Sequence, residues 1–518
     1  MRPYRHCQAP ATNASPQDRR AGYPCDEVAA ERTAKRPNVA AIRRLRGSAG
    51  SIIVGFSVAS VGVFVHYASF KDCISLGGFR MVKRIIIGES GGPTPVIDWE
   101  VAGALDAAQK AGVEMYGMAN GLEGLLNANI PGNIMDLTKM DPMSFVFNGP
   151  GAGLRTTRIK PKEREYKKIA ENLSALGVDG VVYIGGNDSA DQLLGLAAVS
   201  SVTAIHAIKT VDNDLLVTHH CPGYGSAALY NATALKSVYS DFSSYRTMAN
   251  FSVGTKIVQG VETAPVVVYQ VMGRKAGWLA QGTAFARVDP RGQMRPDAPP
   301  HIILCREVPF DKRAFLEKMD EVLTRLGEAA VVVQEDLTDK ATGKSIEEIY
   351  ATKVVYDEHG NIQHGRAESF SPAVFLAELV TSELKVEAVP GKVKDCVLNP
   401  QHIQRSYSMS PADASEAYMV GHAAVEAMLA GETKRSVILE RKDGVTRTGL
   451  TDLSNIAAKD RKVPAEYING MEGPTQAFID EFIYLVGGPA ALPHYSNLKC
   501  PAVKVPDKVS KNPYVRSK

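Results

Sequence analysis

The chain is short of the features that assign a protein quickly. Its seven cysteines in 518 residues (Cys7, Cys25, Cys73, Cys221, Cys305, Cys396 and Cys500) are scattered, odd in number and without a C-x-x-C pair. That argues against a disulfide framework and a cysteine zinc site, and reads as isolated inert thiols in a reducing cytosol. The first glycine loop, Gly91-Gly92, matches neither the P-loop nor the dinucleotide fingerprint. The net charge of +3 hides an asymmetry: residues 1–80 hold 12 Lys/Arg against 5 Asp/Glu, and the remainder 47 against 51. No domain-wide basic surface for nucleic acid is implied.

What is present is an ordinary globular composition, 45% apolar and 22% charged, long enough for two or more domains that each bury a core. Residues 1–50, rich in Arg, Ala, Pro and Ser without periodicity, read as a disordered leader. The apolar run from Ile52 to Tyr67, 16 residues long, falls short of the roughly 20 a membrane span needs. A span flanked by the preceding arginines would also leave the body of the chain outside the cytosol. A charged region of some fifty residues is too long for a signal peptide. The simplest account starts the native chain at Met81, with residues 1–80 a spurious upstream extension and a genuine anchor as the minority alternative.

From Met81 onward short apolar runs alternate with helical stretches. Ile85 to Ile87 leads into a helix over Val96 to Lys110, Gly180 to Ile184 into one over Asp191 to Val199, and Val202 to Ile208 into a polar loop. Pro265 to Val271 and Ala329 to Gln334 are further strands, with a helix over Lys312 to Arg325 before the latter. The alternation predicts parallel sheets with helices on both faces and ligands beyond the strand ends. Residues 336–370 are more polar and read as an insertion, and the stretch after Ala491 as a surface tail.

Three strand-end loops carry chemistry. Gly91-Gly92-Pro93-Thr94-Pro95 joins a strand to a helix and can cradle an anion on freed N–H groups, although such turns are as often plain connections. Gly185-Gly186-Asn187-Asp188-Ser189 repeats the design with a carboxylate, and Asn187 and Asp188 can equally cap the helix. Lys209-Thr210-Val211-Asp212-Asn213-Asp214 sets an ammonium beside two carboxylates. Asp212 can act as general base and Asp214 orient it or reach Mg²⁺ through water, while Lys209 offsets phosphoryl charge. Met272-Gly273-Arg274, Arg155 after the Gly149–Gly153 loop, and His402-Ile403-Gln404-Arg405 add phosphate-gripping side chains.

In order, these motifs resemble the phosphofructokinase family from Met81 to about residue 430. The resemblance implies that Asp212 deprotonates the C1 hydroxyl of fructose 6-phosphate, which attacks a donor held by Gly91, Gly92, Arg155, Gly186, Ser189 and Mg²⁺. Thr210, Val211, Met272, Gly273, Arg274, Glu307, His402 and Arg405 would contact the sugar phosphate. Family members using ATP carry glycine at position 188 and a small residue at 209. Asp188 and Lys209 therefore imply pyrophosphate as donor and a reversible reaction: the carboxylate crowds an α-phosphate, and the amine stabilises a phosphate leaving group.

Three departures qualify the likeness. Asn187 stands where many relatives have a magnesium-associated aspartate, which leaves its ligand role in doubt. Pro265 and Cys396 stand where bacterial ATP-using tetramers have arginines that reach a neighbouring subunit, and Ser406-Tyr407 replaces a Gly-Gly pair.

The expectation is an α/β protein of two Rossmann-like domains with the site in the cleft between them. Residues 81–225 plus 404–490 would bind the donor and 226–403 the sugar phosphate, with 491–518 a tail. Partners would be pyrophosphate, fructose 6-phosphate and a second copy (dimer or tetramer) in the cytoplasm, with no nucleic acid and no membrane. An ATP-dependent enzyme, a non-catalytic sugar-phosphate sensor and a broader sugar-phosphate kinase are the alternatives.

Overall fold

Valine- and isoleucine-rich runs of six residues, buried along all or nearly all of their length, form the strands Arg84–Glu89, Gly180–Gly185 and Ala329–Gln334. The computed structural model describes residues 82–147, 149, 151–253, 255–351, 354, 370–407, 409–492 and 515–516, all within one compact unit. The expected leader with its apolar run, most of the polar insertion's second half and most of the tail lie outside the described residues.

Among the described residues thirteen strands make two sheets. They are β1 Arg84–Glu89, β2 Glu114–Met118, β3 Ile134–Asp136, β4 Gly180–Gly185, β5 Thr203–Ile208, β6 Thr247–Val253, β7 Lys256–Val271, β8 Ile302–Leu304, β9 Ala329–Gln334, β10 Lys392–Leu398, β11 Arg435–Lys442, β12 Val445–Asp452 and β13 Val515–Arg516. The first sheet runs β12-β11-β5-β4-β1-β2-β3. Its five central strands are parallel, and β12 and β3 close the edges antiparallel. The second runs β13-β6-β7-β9-β8, with β10 parallel to the later part of β7.

Both faces of the second sheet are covered, and the residue period of two shows it. Val266 and Val268 of β7 face one core, with the helix Lys312–Leu326, while Val267, Tyr269 and Val271 face another, with the helix Tyr224–Ser243. In the first sheet the helices Ile97–Ala111 and Pro411–Leu429 cross with their backbones nearly touching. A Cβ on Gly103 would strike the Tyr418 carbonyl, and one on Gly421 the Glu100 carbonyl. The expected α/β architecture of two sheets with helices on both faces is what forms.

One boundary differs from expectation. Residues beyond about 460 were grouped with the first sheet, but Val463, Phe478, Ile479, Phe482 and Leu485 join the second sheet's core beside Tyr224 and Trp278. Phe478 stacks on Phe285 at 5.7 Å between centroids, and Phe482 lies 5.5 Å from Trp278. Aromatic area of this size outweighs the chain's sequential proximity to β12.

Candidate active site

In the first sheet β1 is the switch point: the chain runs outward to β2 on one side and returns as β4 on the other. A crevice therefore opens at the carboxyl ends of β1, β4 and β5, where ligands of open α/β sheets bind. The three polar loops predicted from sequence leave those adjacent strands and interlock. Ser90 N–H donates to Ile184 O at 2.9 Å, Lys209 N–H to Gly185 O at 2.9 Å, and Ser189 Oγ to Ser90 Oγ at 2.9 Å.

Lys209 is buried under the first loop, its Nζ donating to Ser90 O and Gly92 O at 2.7 Å each. Two of its three N–H groups are thus used, and one is left for a ligand. Burial, with the fields of Arg405 and Arg158, pulls this amine down to about 8, while Glu100 and Glu89 hold it up. Gly91 adopts a left-handed φ of 77°. Gly92 must lack a side chain where the Arg405 guanidinium crosses it.

Asp212 lies half-buried, its N–H on Thr210 Oγ1 at 3.1 Å. Burial raises its carboxyl, and Arg274, Arg405, Lys209 and Arg158, in that order, oppose the rise. Asp214, deeper, is pushed up to about 7 by burial and by Asp212 and Asp460. The loop's return is braced by a chain of Glu481, His219, His220 and Glu416, with carboxylate contacts of 2.7 Å and an Nδ1 to Nδ1 distance of 2.8 Å. Burial and the neighbouring His220 pull the His219 imidazole down to about 4, against the Glu481 carboxylate that holds it up.

The second row of loops follows β7, β8 and β9. Gly273 N–H donates to Glu335 Oε1 at 3.1 Å, and Gln334 Nε2 to Gly273 O at 2.6 Å, which sets Arg274. Gln404 Oε1 accepts from Met272 N–H and Asn231 Nδ2, both at 3.1 Å. His402 and Arg405 sit on the 3-10 turn Gln401–Arg405, whose three-residue repeat eclipses them. Arg405 Nη2 meets His402 Nδ1 at 2.6 Å, and the buried Arg405 Nε has no protein partner.

Several expectations meet a different geometry. Arg155 is exposed with φ 61°, and the arginine in the charge field of Lys209, Asp212 and Arg405 is Arg158, three residues on. Asn187, considered as a metal ligand, is turned to protein: Nδ2 donates to Asp460 Oδ1 at 2.6 Å and Lys459 O at 3.2 Å, and Oδ1 accepts the Asp188 N–H at 2.8 Å. The Glu307 carboxylate accepts Gly277 N–H at 3.0 Å and Val463 N–H at 3.0 Å, holding the loop that carries Arg274. Val211 is buried in the second core, whereas Asp188 is exposed on the first turn of the helix Asn187–Val199.

Residues 458–463, which no motif marked, pass between the two rows. A run such as Lys459-Asp460-Arg461-Lys462 reads in sequence as a solvated face. Glu89 and Asp98 also escaped notice. They accept Leu154 N–H and Gly153 N–H at 2.8 Å each and so anchor the glycine loop ahead of Arg158. Among the described residues no three His, Cys, Asp or Glu side chains converge to cage an ion. Mg²⁺ is commonly held by one or two carboxylates plus substrate phosphates, and Asp212 and Asp214 fit that part.

A carboxylate amid four cations, at the ends of parallel strands in two facing sheets, defines an α/β protein built to bring anionic ligands together. The model of the family Phosphofructokinase matches residues 84–253 and 259–428, and the chain belongs to that family. It is 31% identical to the pyrophosphate--fructose 6-phosphate 1-phosphotransferase of Rhodospirillum rubrum, over 74% of this chain and 89% of the relative. It is 32% identical to the Xanthomonas campestris protein of the same name, over 81% and 97%. The crystal structure of a pyrophosphate-dependent phosphofructokinase from Nitrosospira multiformis superposes with a TM-score of 0.61 at 26% identity, covering 82% of this chain and 96% of that one.

Proposed function

We propose that the protein transfers a phosphoryl group from pyrophosphate to the C1 hydroxyl of fructose 6-phosphate, giving fructose 1,6-bisphosphate and phosphate, and that it runs in both directions. The observation that carries this reading is Lys209, buried beneath the donor loop with one N–H left over, with Asp188 at the neighbouring helix start. The spare N–H of Lys209 would be offered to a bare diphosphate, and the α-phosphate of a nucleotide would meet the Asp188 carboxylate.

Arg274, Arg405 and His402 hold the 6-phosphate, with Arg405 Nε as a ready donor. Asp212 accepts the proton of the C1 hydroxyl as that oxygen bonds to the nearer phosphorus of the donor. The bridging P–O bond breaks, and its electrons leave with phosphate. Lys209 and Arg158 neutralise charge on the departing oxygens, which is most of what phosphoryl transfer asks of a protein. Mg²⁺, held by Asp214 and Asp212 together with the donor, would add positive charge there. The three free cysteines of the described residues, and the lack among them of any helix long and apolar enough to span a membrane, suit a cytoplasmic enzyme. The exposed Ile403, Tyr407 and Met409 suit a homo-oligomer, dimer or tetramer.

The test is a coupled assay at saturating fructose 6-phosphate and Mg²⁺ with pyrophosphate or ATP as donor. Turnover with pyrophosphate, and phosphate-dependent reversal from the bisphosphate, is the expected result. Turnover with ATP alone would overturn the donor assignment, and sugar-phosphate binding without any turnover would make the protein a sensor.

A further inference from the structure

After β12 the chain leaves the first sheet, and residues 458–463 run between the two rows of loops. Ala458 N–H reaches Asn187 O at 3.4 Å, Arg461 N–H donates to Asp214 O at 2.6 Å, and Val463 N–H to Glu307 Oε1 at 3.0 Å. At the centre is Asp460. A single oxygen, Oδ1, accepts from Asn187 Nδ2 at 2.6 Å and from Lys275 Nζ at 3.0 Å. Asn187 begins the helix after β4 in the first sheet, and Lys275 lies in the loop after β7 in the second. One carboxylate oxygen therefore spans the cleft.

The partners differ in how they hold. Asn187 is buried, so its amide contact is shielded from water, whereas the Lys275 and Asp460 side chains are 36% and 31% exposed. The first contact fixes Asp460 to the donor side, and the second, the weaker, can be made and broken. Arg461 stiffens the stretch from behind: its guanidinium stacks over the Trp278 ring at 4.5 Å and donates to Asn213 O and His219 O, both at 2.9 Å.

We propose that Asp460 is a positioning residue, a clasp that draws the sugar-phosphate row onto the donor row and so fixes the distance between the attacking hydroxyl and the donor. The proposal rests on the reaction given above, in which each row holds one reactant. Alignment of that kind is worth large factors, since a misplacement of about 1 Å costs roughly 100-fold in rate.

The test compares Asp460→Ala, Lys275→Met and the double variant with the unaltered protein. Each single variant should lose about tenfold or more in kcat, and the double no more than the worse single. The dissociation constant of fructose 6-phosphate alone, by calorimetry, should stay within about twofold, since its 6-phosphate is held by Arg274, Arg405 and His402 of one row. Hydrogen exchange should show amides 186–190 and 272–276 losing protection together. An unchanged kcat, additive losses, or sugar-phosphate affinity that falls in step with kcat would overturn the clasp. If the unaltered protein proves inactive with pyrophosphate, the exchange measurement still decides: joint deprotection of the two loops supports the clasp, and deprotection of neither or only one refutes it. Should Asp460→Ala fail to fold, Asp460→Asn keeps the acceptor for Asn187, gives up the charge that holds Lys275, and carries the same expectations.

Discussion

Asp212 is caught between burial, which favours its protonated form, and four cations that favour the anion. That balance suits a base that must hold a proton only briefly. Asp212→Ser should lower turnover on the order of 10²–10⁴-fold with little change in fructose 6-phosphate affinity, and unchanged turnover would remove Asp212 as the base. Lys209 loses its charge as pH rises through about 8, so kcat should fall on that alkaline limb. Lys209→Arg, charged throughout, should abolish the limb in a pH profile whatever its effect on rate. Asp98, hydrogen-bonded to Glu89, is raised from 3.8 to about 6, mainly by burial. The folded chain then binds more protons than the unfolded one across that window, so stability falls as pH rises through it and stays lower above. Asp98→Asn keeps the acceptor for Gly153 N–H and has no proton to lose. Its Tm should exceed that of the unaltered protein at pH 8 and match it at pH 4. Asp212, Lys209 and Arg274 could be singled out in the sequence because each follows an apolar strand within a few residues. Arg158 escaped notice because a glycine-rich loop does not reveal at which residue the chain reverses, and the left-handed turn falls at Arg155.

Among elements, apolar strands bounded by glycine or charge were read to within a residue: β4, β5 and β9 begin and end where the runs do. The helix expected from Asp191 begins at Asn187, because the loop's polar residues form its first turn. β7 extends back to Lys256, nine residues before the expected start, since its polar first half pairs with β6 as a hairpin that no apolar run announces. The crossing of the helices Ile97–Ala111 and Pro411–Leu429 could not be read at all, because glycines within a helix say nothing of what they approach. Gly421→Ala places a methyl against fixed backbone and should cost about 1–3 kcal/mol, visible as a lower urea midpoint. A midpoint equal to that of the unaltered chain would show that the helices can part without loss.

At the scale of the molecule, alternating strands and helices were enough to anticipate two layered sheets, but not which sheet the last segment serves. Aromatic residues at 478, 482 and 484 have no strand-like or heptad pattern, and only the rings of Tyr224, Trp278 and Phe285 that the segment packs against in three dimensions explain their destination. A chain stopped at residue 475 would strip Phe478, Ile479, Phe482 and Leu485 from the second core. Losses of about 2–5 kcal/mol for each large side chain exceed ordinary stability, so this chain should show no cooperative melt by circular dichroism; a normal transition would mean that the segment is dispensable.

Asp212 stands on one sheet, and Arg274, first among the charges that keep it anionic, on the other. Were the halves to separate, Asp212 would shed Arg274 and its burial together and stand as an ordinary solvated carboxylate, out of reach of the sugar hydroxyl it is to deprotonate.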